Sequence, residues 1–242
     1  MNRTKIEWCD YTWNPVTGCL HNCPYCYAER ISKRFTGDFE PKFHENRLTD
    51  PQKVKTPSKI FVVSMGDLFG EWVPDEWIRK VLESCERAPQ HAYLFLTKNP
   101  AGMLPYEFPE NMWVGASVEN HQDAENRLPR LLRVKAAVRF VSLEPMLAPV
   151  DLSHVQLDRH TNMNVLEGCG VSLRSHAQSM PNAFCEKLSW VIVGAQTGPD
   201  AVKPDPDWVQ DIIDQCRSAG VPIFLKDNLE WPDKIQEWPR FS

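Results

Sequence analysis

Short, nearly continuous apolar runs recur along the 242-residue chain and constrain its fold more than any other feature. Such runs are typical of strands buried on both faces of a parallel sheet, whereas strands with one solvated face alternate apolar and polar residues. Because parallel strands need crossover connections, helices are expected between them. The sequence therefore predicts an α/β protein with strands at Ile60–Val63, Ala92–Leu96, Trp113–Ala116, Val138–Leu143, Trp190–Val193 and Val221–Leu225.

Two stretches between these runs have the spacing of amphipathic helices. One follows Pro74 and the other follows Pro206, and in both the apolar residues recur every three or four positions, so that one stripe can face the sheet. Gly220 stands where the second helix is expected to end. Each stripe includes a cysteine, Cys85 or Cys216, which we expect to be a small buried apolar group rather than a metal ligand.

Polar residues follow the apolar runs again and again. In a βα barrel, the residues that follow the strands all emerge on the face that carries chemistry. Any one of them could instead be a helix N-cap or a turn former, but their recurrence favours a shared site. The polar segments are Ser64–Asp67, Thr97–Pro100, Ser117–Asn120, Glu144–Pro145, Gly194–Gly198 and Lys226–Asn228.

Composition narrows the classes of partner and compartment. With 27 Lys and Arg against 32 Asp and Glu, the net charge is −5, which argues against a protein that holds nucleic acid chiefly by neutralising phosphates and leaves room only for a local basic groove. No apolar stretch approaches the roughly 20 residues that cross a bilayer, so no membrane association is expected. The first residues do not resemble a signal peptide, and we expect a cytoplasmic protein whose eight cysteines are reduced.

Residues 151–188 lack the alternation of apolar runs and amphipathic stretches seen in the rest of the chain; they are polar and without clear periodicity. An unstructured connection of this length is unusual inside a compact domain unless it is an insertion or a lid. We therefore expect one domain over residues 1–242, with this segment inserted before the sixth strand. The segment contains Cys169, Cys185, His154, His160 and His176, whose spacings match no familiar ligand pattern, so an insertion with unrelated thiols is favoured over a second metal site.

The sharpest signal is a loop with three cysteines, Cys19, Cys23 and Cys26, spaced C-x3-C-x2-C. Thiolates so close in sequence can converge on one inorganic centre, and their softness favours an iron–sulfur cluster or zinc. A structural zinc site needs a fourth protein ligand, which His21, Cys9 or a distant residue could supply. A four-iron cluster held by three thiolates would instead leave one iron open to an exogenous ligand, which is a catalytic arrangement.

The cysteine spacing, with Tyr25 just before the third cysteine, resembles the signature of the radical S-adenosylmethionine (SAM) superfamily. The resemblance implies a partial (β/α)6 TIM-like barrel and a [4Fe–4S] cluster on Cys19, Cys23 and Cys26. It further implies that SAM binds to the open iron and is cleaved reductively to a 5′-deoxyadenosyl radical, which abstracts hydrogen from a substrate. Such a reaction requires an external electron donor.

Further stretches resemble a phage-associated and prokaryotic radical SAM family of unknown substrate, found beside a three-Cys-motif partner protein. They are Thr12–Cys19, Trp190–Gly194 and Gln215–Lys226. This resemblance implies a three-Cys-motif partner protein for the chain. It also makes a nucleic acid or nucleotide the first candidate substrate. The chain departs from the usual family pattern at Ala195–Thr197, where Gly-Glu-Ser is more typical, and at Asp227–Asn228.

The resemblance also implies which strand-end residues contact SAM. Ser64, Gly66 and Asp67 stand in the place of the superfamily's Gly-Gly-Glu-type motif, so Gly66 would permit a close backbone approach and Asp67 would pair with the SAM ammonium group. The other expected cofactor-binding residues are Tyr25, Lys98, Ser117, Glu119, Glu144, Gly194 and Gln196, and Lys226 is a further candidate for an anionic group. The competing hypothesis is a non-catalytic binding or adaptor module stabilised by zinc.

Overall fold

The computed structural model describes residues 1–158, 160–172, 179–180, 186–198 and 201–239. These residues form an α/β protein around one large sheet. The strands are β1 (Asn2–Arg3), β2 (Tyr11–Trp13), β3 (Val16–Thr17), β4 (Lys42–Phe43), β5 (Lys59–Val62), β6 (Ala92–Thr97), β7 (Met112–Ser117), β8 (Arg139–Leu143), β9 (Val155–Asp158), β10 (Thr161–Asn164), β11 (Cys169–Ser172), β12 (Ser179–Met180), β13 (Trp190–Val193) and β14 (Ile223–Leu225). The α-helices are α1 (Tyr27–Thr36), α2 (Asp50–Lys53), α3 (Asp75–Glu86), α4 (His121–Leu131) and α5 (Pro206–Ala219).

The large sheet has eight strands in the order β1-β2-β5-β6-β7-β8-β13-β14. Every neighbouring pair from β2 to β14 is parallel, and only the edge strand β1 is antiparallel. Each apolar run of the sequence forms one of these strands, so the predicted parallel α/β class is confirmed. Because these seven strands are parallel, their carboxyl ends all lie at one edge of the sheet.

Side chains of the sheet divide into two cores, one on each face. On β13, Trp190 and Ile192 belong to one core, and Val191 and Val193 to the other. Helices α3, α4 and α5 pack against the second core, where the predicted stripes of α3 and α5 are buried. The first core is aromatic and centres on Trp190, whose ring meets Trp8, Trp113, Phe140 and Phe224 at centroid distances of 6.5, 6.0, 5.7 and 6.1 Å.

The predicted helices end and pack as expected. Gly220 caps the carboxyl end of α5 with a positive φ of 65°. Cys85 on α3 and Cys216 on α5 are both fully buried, which agrees with their expected role as small apolar groups. Among the described residues, no helix combines the length and the apolar character that crossing a bilayer requires.

The segment over residues 151–188 is an insertion that forms its own antiparallel sheet, in the order β12-β11-β10-β9. This sheet packs against α4 on the helical side of the molecule, where Leu152, Val155 and Met163 join the second core. The described part of the insertion therefore packs on the helical face of the large sheet. The backbone of Cys169 belongs to β11, whereas His176 and Cys185 lie outside the described residues.

Candidate functional site

A cavity of about 350 Å³ opens at the carboxyl ends of the parallel strands. The three cysteines of the loop face it together with most of the expected cofactor-binding residues. Glu119 and Gly194 are the two expected residues that do not line it, and each supports a residue that does. The expected residues in its wall are Cys19, Cys23, Cys26, Tyr25, Ser64, Gly66, Asp67, Lys98, Ser117, Glu144 and Gln196.

The cysteine loop is held against the sheet by a close contact between two glycines. Gly18 and Gly66 form an isolated parallel bridge, and the amide of Gly18 donates to the Met65 carbonyl at 2.9 Å. A Cβ on Gly66 would lie 2.6 Å from the Gly18 oxygen, and one on Gly18 would lie 2.2 Å from the Glu40 oxygen. The close approach that Gly66 permits is therefore to the backbone of the cysteine loop itself.

The three loop cysteines are free thiols, each partly buried. Cys26 is the N-cap of α1, and its Sγ accepts a hydrogen bond from the Glu29 amide at 3.3 Å. Burial raises the pKa of Cys19 to about 12 and also raises that of Cys26, so both favour the neutral thiol unless a cation binds. A metal centre would supply that cation, because only deprotonated thiols are ligands.

The thiols do not form a compact site for a single ion. Within the described part of the chain, no group of three His, Cys, Asp or Glu residues is close enough together to hold one metal ion. Ligands of one tetrahedral zinc lie about 4 Å apart, since each Zn–S bond is about 2.3 Å. Three free thiols that face one cavity are the donor set that iron–sulfur clusters use, whereas a structural zinc ion would need a fourth ligand beside them.

Lys98 brings a positive charge to the cysteine loop. Its Nζ lies 3.0 Å from Cys23 Sγ and 2.6 Å from the Tyr25 hydroxyl, and it forms an ion pair with Glu119. Burial lowers the pKa of Lys98, but hydrogen bonds with Glu119, Tyr25 and Cys23 outweigh it and raise the pKa above its usual value. Burial raises the pKa of Glu119, but hydrogen bonds with Lys98 and Tyr25 outweigh that effect and lower the pKa, so the pair stays ionised. Glu119 does not line the cavity itself but pairs with Lys98, which does.

Asp67 is 4% exposed and fully engaged by the protein. One carboxylate oxygen accepts from the Phe69 amide at 3.0 Å, and the other from the Lys98 amide at 2.9 Å. The Thr97 hydroxyl lies within 2.9 Å of both oxygens, and His21 Nε2 lies 2.8 Å from one. Asp67 therefore ties the ends of β5 and β6 to the cysteine loop, and pairing with the ammonium group of SAM would require it to exchange one of these partners.

A second charged pair lies across the cavity. Lys226, which follows β14, forms an ion pair with Glu144, which follows β8, and its Nζ lies 3.9 Å from a carboxylate oxygen of Glu7. A Cβ on Gly194 would lie 2.9 Å from Lys226 Cδ and 3.1 Å from Glu144 Cγ. Gly194 therefore leaves the space that this pair occupies. The sequence suggested Lys226 and Glu144 separately but not that they meet.

Two segments that differ from the radical SAM pattern the sequence resembles, Ala195–Thr197 and Asp227–Asn228, contact each other. The Asn228 side chain accepts from the Ala195 amide at 3.1 Å and donates to the Ala195 carbonyl at 2.9 Å. This clamp fixes the backbone of the Gly194–Gly198 loop, which lines one side of the cavity. These two segments therefore form one structural unit at the side of the cavity.

Apolar residues that the sequence did not single out complete the cavity. Trp8, Phe61 and Leu96 line it, and Trp8 lies 4.7 Å from Phe61 between ring centroids. Ser142 also lines it, is 1% exposed, and has no hydrogen-bond partner for its hydroxyl among the described residues; the indole N–H of Trp8 is likewise unpartnered. Buried polar groups are nearly always hydrogen-bonded, so these two are suited to a ligand.

The fold and the site define the chain as a parallel α/β protein with a cysteine-lined cavity at the carboxyl ends of its strands. A family model described as protein of unknown function DUF5131 matches residues 3–238, and the chain belongs to that family. No curated protein and no solved structure matches the chain significantly.

Proposed function

We propose that this protein is a radical SAM enzyme that cleaves SAM reductively at a [4Fe–4S] cluster held by Cys19, Cys23 and Cys26. The observation that carries the proposal is the meeting of these three unpaired thiols at one cavity, on the edge where the parallel strands end. The 5′-deoxyadenosyl radical would act on a substrate for which a nucleic acid or nucleotide is the first candidate, although the net charge of −5 does not favour a polyanion.

A finer description of the fold supports the same proposal. Parallel strands that follow one another in chain order have right-handed crossovers that place the helices on one face, as in a βα barrel. The aromatic core on the other face then corresponds to a barrel interior. Among the described strands, the edge strands β1 and β14 do not pair, so a partial barrel of the radical SAM type is the arrangement we propose.

The residues of the site can be assigned tasks. When bound, a [4Fe–4S] cluster with one open iron supplies a binding point for the amino and carboxylate groups of SAM and the electron that cleaves its sulfonium bond. Lys98 donates to Cys23 Sγ, and such hydrogen bonds to ligand sulfur stabilise added negative charge. Trp8, Phe61 and Leu96 offer an apolar surface, and Ser117 and the unpartnered Ser142 offer hydroxyl groups for polar atoms of the bound molecule.

Partners and compartment follow from the proposed chemistry. The reaction needs an external electron donor, and the resemblance noted above makes a three-Cys-motif partner protein a second candidate partner. Cluster ligation needs reduced thiols, which the cytoplasm maintains, and this fits the cytoplasmic location expected from the sequence.

The test is anaerobic purification and reconstitution with iron and sulfide. We expect a brown protein with four irons and four sulfides per chain that makes 5′-deoxyadenosine from SAM when reduced. The Cys23→Ala variant should lose both the cluster and the product. The matched control is Cys85→Ala, because Cys85 is fully buried on α3 away from the cavity and should affect neither.

The competing zinc module gives a different result in the same experiment. A colourless protein with one zinc, no acid-labile sulfide and no 5′-deoxyadenosine would contradict the proposal. A full cluster in the Cys23→Ala variant would contradict the ligand assignment.

A further inference from the structure

The cysteine loop and α1 together carry an unusual apolar surface. Among the described residues, the large hydrophobic side chains that are exposed include Leu20 at 43%, Tyr27 at 39%, Ile31 at 44% and Phe35 at 77%. Leu20 lies between Cys19 and Cys23, and the other three recur every four residues on α1. Residues with this spacing share one face of a helix. We call these four residues the loop–helix stripe.

The stripe is exposed because α1 is weakly packed. Ala28 is the only buried residue of α1, whereas α3 and α5 each bury a complete apolar stripe. An amphipathic helix normally turns its apolar face to the core, so apolar residues left in solvent at regular spacing mark a surface for a partner.

Positive charge lies beside the stripe. Lys33 is neutralised by Glu29 at 2.7 Å, but neither Arg30 nor Arg34 forms an ion pair within the described part of the chain. Arg34 lies 5.8 Å from the Phe35 ring centroid, and Arg30 donates to the Thr197 carbonyl at 2.9 Å. This basic, apolar surface is complementary to an acidic partner, although the chain as a whole carries a net charge of −5.

The stripe is also next to the candidate cluster. Cys26 caps α1, so with a rise of about 1.5 Å per residue, Ile31 lies about 8 Å and Phe35 about 14 Å along the helix from a cluster ligand. Tyr27 also lines the cavity and donates to the Ser64 carbonyl, so a protein seated on the stripe would stand beside the cluster at the rim of the cavity.

From these observations we propose that the loop–helix stripe, flanked by Arg30 and Arg34, is the docking surface for a small acidic one-electron carrier protein. This inference rests on the proposed function. One electron passes from the reduced carrier, which is oxidised, to the cluster, which is reduced; no bond forms or breaks and no proton is transferred. Redox encounters of this kind use small interfaces, below about 1,200 Å², which suits a surface built from one loop and one ten-residue helix.

Two other occupants fit the surface less well. Nucleic-acid binding depends on several phosphate contacts, and two unpaired arginines supply few of them. A symmetric dimer through the stripe would place the same basic surface against itself, because an isologous interface joins identical patches. The acidic carrier satisfies both the apolar and the charged parts of the surface.

The test measures 5′-deoxyadenosine formation by the reconstituted full-length protein with two electron sources. One source is a bacterial flavodoxin kept reduced by its NADPH-dependent reductase, and the other is dithionite, which needs no docking surface. The variants are Phe35→Asp and Arg34→Glu, neither of which lines the cavity. The charge-matched control is Arg87→Glu, at the end of α3, where Arg87 is 65% exposed.

We expect both variants to raise the KM for flavodoxin at least tenfold, to leave kcat unchanged, and to keep the dithionite-driven rate within twofold of the parent protein. Added salt should slow the flavodoxin-driven rate of the parent protein and of Arg87→Glu. Unchanged flavodoxin kinetics in both variants would overturn the docking site, as would an equal loss with both electron sources.

The dithionite arm separates the two levels of the proposal. No product with dithionite in the parent protein removes the proposed function, and this inference with it. Product with dithionite but none with flavodoxin in the parent protein overturns the inference alone. A dimer that Phe35→Asp dissociates, or single-stranded DNA binding that Phe35→Asp abolishes, would assign the stripe to another occupant and would also overturn it.

Discussion

At the scale of single residues, the position of the cysteine loop depends on Gly18. Its φ of 90° lies in a region that side chains disfavour, and a Cβ there would meet the backbone of Glu40 and not a movable side chain. Gly37 also has a positive φ, of 82°, but a Cβ on Gly37 would have no neighbouring atom within 4 Å. Comparing the two positions therefore separates the cost of a left-handed backbone, which both share, from the cost of a steric clash, which only Gly18 would have.

Replacing each glycine with alanine measures this difference. We expect Gly37→Ala to lower the free energy of unfolding by about 1 kcal/mol, the cost of a left-handed conformation. Gly18→Ala should lower it by about 3 kcal/mol or more, because the clash with the Glu40 carbonyl adds to that cost. Urea unfolding of the two variants checks this, and equal losses would show that the loop can shift away from Glu40.

Lys98 and Glu119 allow a second prediction at this scale. Their side chains are 17% and 13% exposed, so removing one partner leaves the other charge poorly solvated. Lys98→Met alone should lower the free energy of unfolding by about 2–3 kcal/mol. In Lys98→Met the Glu119 carboxylate keeps, among the described residues, only Arg127, 3.9 Å away, as an ion-pair partner, so adding Glu119→Gln, which removes this poorly paired charge, should recover about 1 kcal/mol of the loss. A double-mutant cycle in urea measures the coupling, and additive losses would show that the two charges are independent.

Sequence patterns located many of the site residues but not their contacts. The motif spacing and the strand ends pointed to Cys19, Cys23, Cys26 and Lys98, all of which line the cavity. The pairing of Lys98 with Cys23 joins residues that are 75 positions apart, and no local pattern encodes such a distance. Ser142 could not be singled out either, because its importance lies in being buried without a partner.

At the scale of elements, strands buried on both faces were readable because their apolar runs are continuous. Two kinds of element escaped this reading. The first parallel strand, β2, has only three residues, Tyr11–Trp13, and is too short to show a period. The inserted sheet of β9 to β12 is formed by short polar strands, among which Thr161–Asn164 includes one buried residue, Met163.

The inserted sheet gives a prediction at the element scale. Met163 is 1% exposed and packs in the second core, on the face of the large sheet away from the aromatic core. Met163→Ala should lower the free energy of unfolding by about 2–4 kcal/mol through loss of apolar contact and the cavity left behind. The dissociation constant for SAM, measured on the folded reconstituted protein, should stay within twofold. A larger change in SAM affinity would mean that the insertion acts on the site after all.

At the scale of the whole molecule, the residues that stabilise the sheet and the residues that line the cavity lie in different places. The aromatic core fills one face of the sheet, the helices and the insertion cover the other, and the cavity lies at the strand ends. In barrel-like folds this division lets the strand-end loops vary while the cores keep the fold. It also means that a molecule bound in the cavity contacts loops from most of the chain, so binding should stabilise the protein as one unit.

The last prediction follows from this coupling between binding and folding. At a SAM concentration 100 times its dissociation constant, binding to the native state alone contributes about 2.7 kcal/mol. For a chain of 242 residues, with a shift of about 2–4 °C per kcal/mol, the Tm of the reconstituted protein should rise by about 5–10 °C. Cys23→Ala should show little of this shift, because the amino and carboxylate groups of SAM would have no iron to bind. Adenosine, which lacks those groups, serves as the control ligand, and an equal shift with SAM in Cys23→Ala and in the parent protein would mean that SAM binds without the cluster.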